Sequence, residues 1–134
     1  MKYLVADDDP FVCEQIQSYL CSLPDTEYCL QAGDGLTALR LLSTGQLDAA
    51  FIDLQMPHLD GFALLRALPR SLPVVVVSAS TNFESRLANF DLVACLSKPL
   101  NTPHFRQAVD KVRATINSGA SANVEMATTA VENR

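Results

Sequence analysis

Aspartate, serine and lysine side chains follow short apolar blocks at four separate places in the sequence: Asp7 and Asp8, Asp53, Ser78, and Lys98. Each alone would be an ordinary surface charge or helix cap. Together they stand at matching positions, at or just after the end of an apolar block. If the three carboxylates approach within ~4 Å, each pair repels by ~4 kcal/mol at an effective dielectric constant of about 20. Such a cluster must bind protons or a cation.

Phosphoryl transfer is the chemistry that such a set supports. Hard carboxylate oxygens suit octahedral Mg²⁺, and Mn²⁺ can take its place. The ammonium group of Lys98 neutralises an incoming anion, and the hydroxyl of Ser78 stands beside it. A divalent ion, an ammonium and a hydroxyl around one carboxylate make that carboxylate the nucleophile, with an acyl phosphate as its product.

Five apolar blocks predict the β-strands that position these residues. Two of them, Ala49-Ala50-Phe51-Ile52 and Val74-Val75-Val76-Val77, are apolar at every residue. Such runs are typical of strands that are covered on both faces of a parallel sheet. The predicted strands are Tyr3–Ala6, Tyr28–Ala32, Ala49–Asp53, Pro73–Ser78 and Leu92–Leu96.

Helix signals lie between and after the strands. Asp9 followed by Pro10 gives an N-cap and a first-turn proline. Asp34 can cap the second helix, and Gly45 is placed to end it. The other predicted helices run from about Gly61 to Leu68, from about Asn82 to Asn89, and from Thr102-Pro103 onward.

The alternation of strands and helices predicts an α/β fold, a doubly wound five-stranded parallel sheet with five helices. The ligand site of that plan lies beyond the carboxyl ends of the strands, where the polar residues stand. A chain of 134 residues suits one domain, predicted over residues 1–117. Residues 118–134 are rich in Ser, Ala, Thr and Asn, which indicates a flexible linker or C-terminal tail, with a weak amphipathic helix as the alternative.

Charge and composition narrow the classes of partner. The formal net charge of -5 disfavours direct binding to nucleic acid or to an anionic membrane surface. No apolar run approaches the ~18 residues of a membrane span, so we predict a cytoplasmic protein. The four cysteines have no C-x-x-C spacing, which favours small buried apolar residues in a reducing compartment over a metal or disulfide set.

The motifs match a known family. Over roughly residues 1–117 the chain resembles the receiver domain of two-component response regulators, which implies a flavodoxin-like fold with strand order 2-1-3-4-5. The segment from Ser78 to Pro99 looks most like regulators with a LytTR-type DNA-binding output. The matching pieces are Leu4-Val5-Ala6-Asp7-Asp8-Asp9-Pro10, the run from Asp48 to Pro57 with Asp60-Gly61 following, Val77-Ser78-Ala79, and Leu96-Ser97-Lys98-Pro99.

The resemblance assigns a role to each matching position. Asp53 is then the phospho-acceptor, and Asp7 and Asp8 form the acidic pair, Asp8 binding Mg²⁺ directly and Asp7 mainly through water. Asp9 is expected to cap the first helix. The backbone carbonyl of Gln55 is expected to bind the metal. The side chains of Lys98 and Ser78 and the backbone N–H of Ala79 are expected to bind phosphoryl oxygens. Pro57 is expected to shape the loop after Asp53 by fixing φ, and Gly61 by permitting unusual φ/ψ. The peptide bond before Pro99 is expected to be cis.

The resemblance also implies partners and a switch. A sensor histidine kinase would donate the phosphoryl group, and the face made by the fourth predicted helix, the fifth strand and the fifth predicted helix would serve a homodimer. Family members usually carry Tyr or Phe three residues before the lysine, where this chain has Cys95. The cysteine either fills this space as a small core residue or serves as a redox-sensitive element. We therefore expect activation to rely on loop movement and an altered dimer surface.

Two other functions fit parts of the pattern. A phosphohydrolase with an aspartate nucleophile would use Asp7-x-Asp9 but would leave Asp53 and its Met-Pro loop without a role. A receiver-like interaction module that takes no phosphate would keep the fold alone. The first would be an enzyme, whereas the preferred interpretation is a signalling domain that does not turn over substrate.

Overall fold

A computed structural model describes residues 1–69, 71–79 and 87–118. Its strands are β1 (Lys2–Ala6), β2 (Tyr28–Ala32), β3 (Ala49–Asp53), β4 (Val74–Ser78) and β5 (Ala94–Ser97). Its helices within these residues are α1 (Pro10–Cys21), α2 (Gly35–Leu42), α3 (Gly61–Ala67) and α4 (Thr102–Ser118).

The five strands belong to one sheet in the order β2-β1-β3-β4-β5. The pairs β1–β2, β1–β3 and β4–β5 are parallel. The predicted fold class and strand order are confirmed. The predicted fourth helix, from about Asn82 to Asn89, lies largely outside the described residues, as does the predicted tail or linker beyond residue 118.

Residues Met1–Pro69 form a first compact unit. β1 is its central strand, and β3 is buried at all of its residues because neither face meets solvent. α1 packs on β1 and β2 through its buried residues Cys13, Ile16 and Leu20. The i, i+3, i+7 spacing of these residues forms the apolar stripe of the helix.

The helices of the first unit begin where their capping residues predict. The carboxylates of Asp9, Asp34 and Asp60 accept hydrogen bonds from N–H groups in the first turns of α1, α2 and α3. Each cap satisfies one N–H group that has no partner inside the helix. α2 ends at Leu42, before Gly45, which adopts φ 71° in the following turn.

The second unit comprises the described residues from 71 onward. β4 is buried throughout, and β5 pairs with it from Val75↔Ala94 to Ser78↔Ser97. β5 therefore begins two residues later than predicted, although the N–H of Val93 already donates to the carbonyl of Val74 at 2.9 Å. α4 packs on β5.

Candidate functional site

Three carboxylates come together in the first unit. Oxygen atoms of Asp7, Asp8 and Asp53 all lie within 4.8 Å of one another. Asp7 and Asp53 retain only 2% and 3% of their accessible surface, whereas Asp8 is exposed. The cluster therefore has a buried floor and one side that opens to solvent.

The register between β1 and β3 creates this cluster. The paired residues run from Tyr3↔Ala49 to Ala6↔Ile52, a constant offset of 46 residues. Continued by one residue, the same register places Asp7 beside Asp53. Because both strands are parallel, their carboxyl ends meet at one edge of the sheet.

Backbone N–H groups hold the two buried carboxylates. Oδ1 of Asp7 accepts a hydrogen bond from the N–H of Asp9 at 2.9 Å. Oδ1 of Asp53 accepts one from the N–H of Gln55 at 3.1 Å. These hydrogen bonds fix the orientation of the two carboxylates.

Asp9 stands apart from the cluster of Asp7, Asp8 and Asp53. Its Oδ1 accepts a hydrogen bond from the N–H of Phe11 at 2.9 Å and caps α1. The predicted assignment of Asp9 to the helix cap is confirmed by this geometry.

The loop after Asp53 contains an unusual backbone angle at a residue that the sequence did not single out. Positive φ occurs at His58, at 71°, and not at Gly61. Gly61 is required for a different reason, because a Cβ atom there would lie 2.4 Å from the Cα of Leu54. The N–H of Gly61 also donates to the carbonyl of Leu54 at 2.9 Å. The prediction that Gly61 supplies unusual φ is therefore wrong, and close backbone approach replaces it.

A second loop supports the first. The N–H of Gly35 donates to the carbonyl of Pro57 at 3.4 Å, and a Cβ atom on Gly35 would lie 1.9 Å from the carbonyl oxygen of Leu59. Next to it, hydrogen bonds from Thr37 lower the pKa of Asp34 below its ordinary value, and the charge of His58 contributes. The loop after β2 thus packs on the loop that follows Asp53.

The second unit places Ser78 and Lys98 side by side. Ser78 ends β4, and its carbonyl accepts a hydrogen bond from the N–H of Lys98 at 2.9 Å. Ser78 is buried, Lys98 is half-buried and Ala79 is exposed. The peptide bond between Lys98 and Pro99 is cis, as the family resemblance implied.

The donor set of the first unit fits a hard divalent cation. All three of its side chains offer carboxylate oxygens, the atoms that Mg²⁺ and Mn²⁺ prefer. Gln55 has an exposed side chain and follows Asp53 by two residues, so a contribution through its backbone carbonyl leaves that side chain outside the site.

The cysteines do not share the burial that their sequence context predicted. Cys13 is buried, but Cys21 is exposed, and Cys29 and Cys95 are half-buried. Only Cys13 fits the predicted small core residue. Cys21 lies at the exposed end of α1. Its exposure could not be predicted from its apolar neighbours in the sequence, because the number of apolar neighbours does not determine whether a residue at a helix end is buried.

The comparison with protein families agrees with the architecture. Residues 3–110 match the model described as the response regulator receiver domain. The match covers most of the chain, and the chain belongs to the response regulator receiver domain family.

Solved and curated relatives are consistent with this membership. The receiver domain of Francisella response regulator 1452 is 30% identical with a TM-score of 0.73, and the match covers 85% of this chain and 98% of that one. Sensor histidine kinase RcsC of Salmonella typhi is 35% identical over 86% of this chain and 13% of its own length. The probable C4-dicarboxylate response regulator DctR of Bacillus subtilis is 29% identical over 84% of this chain and 52% of its own.

This chain therefore spans about half of DctR and about an eighth of RcsC. Among the described residues, no helix has the length and apolar character that a membrane crossing requires.

Proposed function

We propose that the chain is a phosphorylation-dependent signalling module in which Asp53 accepts a phosphoryl group from a histidine kinase in a Mg²⁺-dependent reaction. The observation that carries this proposal is the meeting of Asp7, Asp8 and Asp53 within 4.8 Å at the ends of β1 and β3. Membership in the receiver domain family supports it. The name of the relative RcsC supports a sensor histidine kinase as the class of donor.

In the proposed transfer, an Oδ atom of Asp53 attacks the phosphorus of a phosphohistidine. The phosphorus–oxygen bond forms while the phosphorus–nitrogen bond breaks, and the kinase imidazole leaves with a proton. The N–H of Gln55 holds one oxygen of Asp53 in place for this attack. Mg²⁺ held by Asp7, Asp8, Asp53 and the carbonyl of Gln55, or Mn²⁺ in its place, would neutralise charge on the transferred group.

The roles of the second unit follow the family resemblance. The ammonium group of Lys98, the hydroxyl of Ser78 and the N–H of Ala79 would bind phosphoryl oxygens. Their support is local: Ser78 ends β4, and Lys98 follows β5 and bonds to Ser78 through its backbone. The half-buried Cys95, which pairs with Val76 in the register of β4 and β5, occupies the position where relatives usually carry an aromatic ring.

Phosphorylation would add nearly two negative charges at the end of β3. We propose that this charge shifts the loop after Ser78 and alters a homodimer surface built from the fourth predicted helix, β5 and α4. Residues 1–117 act as the receiver and 118–134 as a linker or tail. The module signals without substrate turnover in the cytoplasm, away from nucleic acid and membranes. The output, including the LytTR-type prediction, stays a prediction.

The test is incubation of the full chain with Mg²⁺ and a small acyl phosphate, followed by intact mass measurement. We expect a gain of one phosphoryl group, about 80 Da, that EDTA prevents. Asp53→Asn is expected to abolish the gain. Asp48→Asn is the matched control, since it removes the same charge at the other end of β3, where Asp48 accepts a hydrogen bond from the N–H of Lys2.

Three results would contradict the proposal. Unchanged mass in the wild type would indicate a module that takes no phosphate. Modification that persists in Asp53→Asn would place the acceptor elsewhere. Steady hydrolysis of phosphomonoesters that Asp7→Asn stops and Asp53→Asn does not would identify a phosphohydrolase.

A further inference from the structure

We propose that Cys21 and Cys29 are a redox modification site that forms a reversible intramolecular disulfide. Their Sγ atoms lie 4.0 Å apart. Cys21 is the last residue of α1 and Cys29 is the second residue of β2. The pair lies in the first unit, and none of the proposed phosphoryl chemistry uses it.

The packing of α1 on β2 fixes this juxtaposition. One turn earlier on the helix, the side chain of Gln17 accepts a hydrogen bond from that of Gln31. From Gln17 to Cys21 the helix advances four residues, about 6 Å. From Gln31 back to Cys29 the strand retreats two residues, about 6.6 Å. Because α1 and β2 run in opposite directions, the two steps match and bring the thiols opposite each other.

Closing the bridge needs a small movement. A disulfide requires about 2.05 Å between the sulfur atoms, so the two sulfur atoms must approach by roughly 2 Å from their separation of 4.0 Å. Cys21 is exposed and Cys29 is half-buried, which leaves one thiol open to an oxidant in solution. Cys13 is instead buried and donates to the carbonyl of Asp7 at 3.2 Å, and Cys95 belongs to the second unit.

The different environments assign an order to the reaction. Burial, and secondarily the neighbouring Cys21, raises the pKa of Cys29 to about 12, so Cys29 stays a thiol at neutral pH. The thiolate of Cys21 attacks a peroxide such as H₂O₂, the O–O bond breaks, and a sulfenic acid and hydroxide form. The Cys29 thiol then gives its proton to the hydroxyl of the sulfenic acid while its sulfur attacks the sulfur of Cys21. The S–O bond breaks, and the hydroxyl leaves with the Cys29 proton as water.

Bridge formation ties the end of α1 to β2. It closes a loop of nine residues, from Cys21 to Cys29 inclusive, and restricts the separation of this helix end from the strand. A small thiol such as glutathione reverses the reaction by thiol–disulfide exchange.

The test oxidises the reduced full chain with a slight molar excess of H₂O₂ and alkylates the remaining thiols. We expect two thiols per chain to disappear together, a mass loss of about 2 Da before alkylation, and a cross-linked peptide that joins Cys21 to Cys29. Reduction should restore both thiols. In Cys29→Ser we expect a sulfenic acid at Cys21 that dimedone traps.

Cys95→Ser is the matched control, because it removes a half-buried thiol from the second unit and should leave the cross-link unchanged. Peptide mapping of the wild type decides the matter even if Cys29→Ser fails to fold. Oxidation that leaves both thiols intact, that stops at sulfinic acid on Cys21, or that joins two chains would overturn the proposal. Because no phosphorylation is measured, failure here is distinguishable from failure of the proposed function.

Discussion

The two ends of the first unit carry reactive groups of opposite character. At the carboxyl edge of the sheet, Asp7, Asp8 and Asp53 bring negative charges together with two of the three side chains buried. At the amino edge, Cys21 and Cys29 place two thiols 4.0 Å apart near solvent. Parallel strand register creates the first arrangement, whereas the second depends on the packing of a helix against a strand.

The two edges differ in their effect on the free energy of folding. Like charges at the carboxyl edge oppose folding until a cation or protons neutralise them. The cysteine pair at the amino edge brings no cluster of carboxylates together and carries no such penalty. We therefore expect the carboxyl edge to gain stability from ligand and the amino edge to gain it from oxidation.

The largest effect should come from the contact between the two loops of the carboxyl edge. In Gly35→Ala the new Cβ would lie 1.9 Å from the carbonyl oxygen of Leu59. The loops must separate, and we expect a loss of about 3 kcal/mol in the free energy of unfolding, measured by urea denaturation. Gly33→Ala is the control, since a Cβ there meets none of the described atoms within 4 Å. Equal stability of both variants would contradict the loop contact.

A somewhat smaller effect is expected from relief of charge repulsion. Asp53→Asn removes one charge from a cluster whose oxygens lie within 4.8 Å, and its amide oxygen can still accept from the N–H of Gln55. We expect the free energy of unfolding of the metal-free protein to rise by about 2 kcal/mol. The rise should be smaller in Mg²⁺. Unfolding in urea with EDTA and with Mg²⁺ measures both values. A loss of stability in EDTA would show that the cluster is not strained.

Oxidation at the amino edge should stabilise by a similar or smaller amount. Cross-linking a loop of nine residues restricts the unfolded chain, and we expect about 1–2 kcal/mol after some native strain. Urea denaturation of oxidised and reduced wild type measures it. Cys21→Ser treated identically should show no difference, and a destabilised oxidised form would indicate a strained bridge.

The smallest effect concerns pH and the cap of α2. Hydrogen bonds from Thr37 hold the pKa of Asp34 below its ordinary 3.8. A pKa that is lower in the folded state adds stability above the unfolded value, and this stability is lost as pH falls through the folded value. Asp34→Ala should therefore lower the thermal midpoint slightly at pH 7 and less at pH 3. A difference that grows in acid would contradict this assignment.

The polar residues of the carboxyl edge could be predicted from the sequence because the patterns that place them are local and periodic. Apolar runs predict parallel strands, and a polar residue directly after such a strand must stand at the shared edge. The positions of Asp7 and Asp53 at this edge could therefore be predicted without knowledge of tertiary packing. The boundaries of β5 were less certain, because Leu92 and Val93 are as apolar as the strand itself.

The thiol pair escaped the same reasoning for a physical reason. Cys21 lies on a helix and Cys29 on a strand, and these elements repeat with different periods. No fixed spacing in the sequence therefore identifies the pair, and the chain has no C-x-x-C motif. The rise per residue of helix and strand could have predicted that the two thiols meet. That prediction needs one known contact between α1 and β2, such as Gln17 with Gln31, to fix which residues lie opposite each other. The positive φ of His58 was missed for a different reason, because a positive φ is uncommon in any residue other than glycine.

Asp9 joins two functions in one residue. Its carboxylate accepts from the N–H of Phe11, and its own N–H orients the carboxylate of Asp7. Any replacement at position 9 that lets the first turn of α1 unwind also tilts the amide that points at Asp7. Under the proposed cation binding, a mutational scan would then report weakened cation affinity for a side chain that is not among the proposed ligands. Proline at this position, which has no N–H to give, would mimic the loss of a ligand most closely.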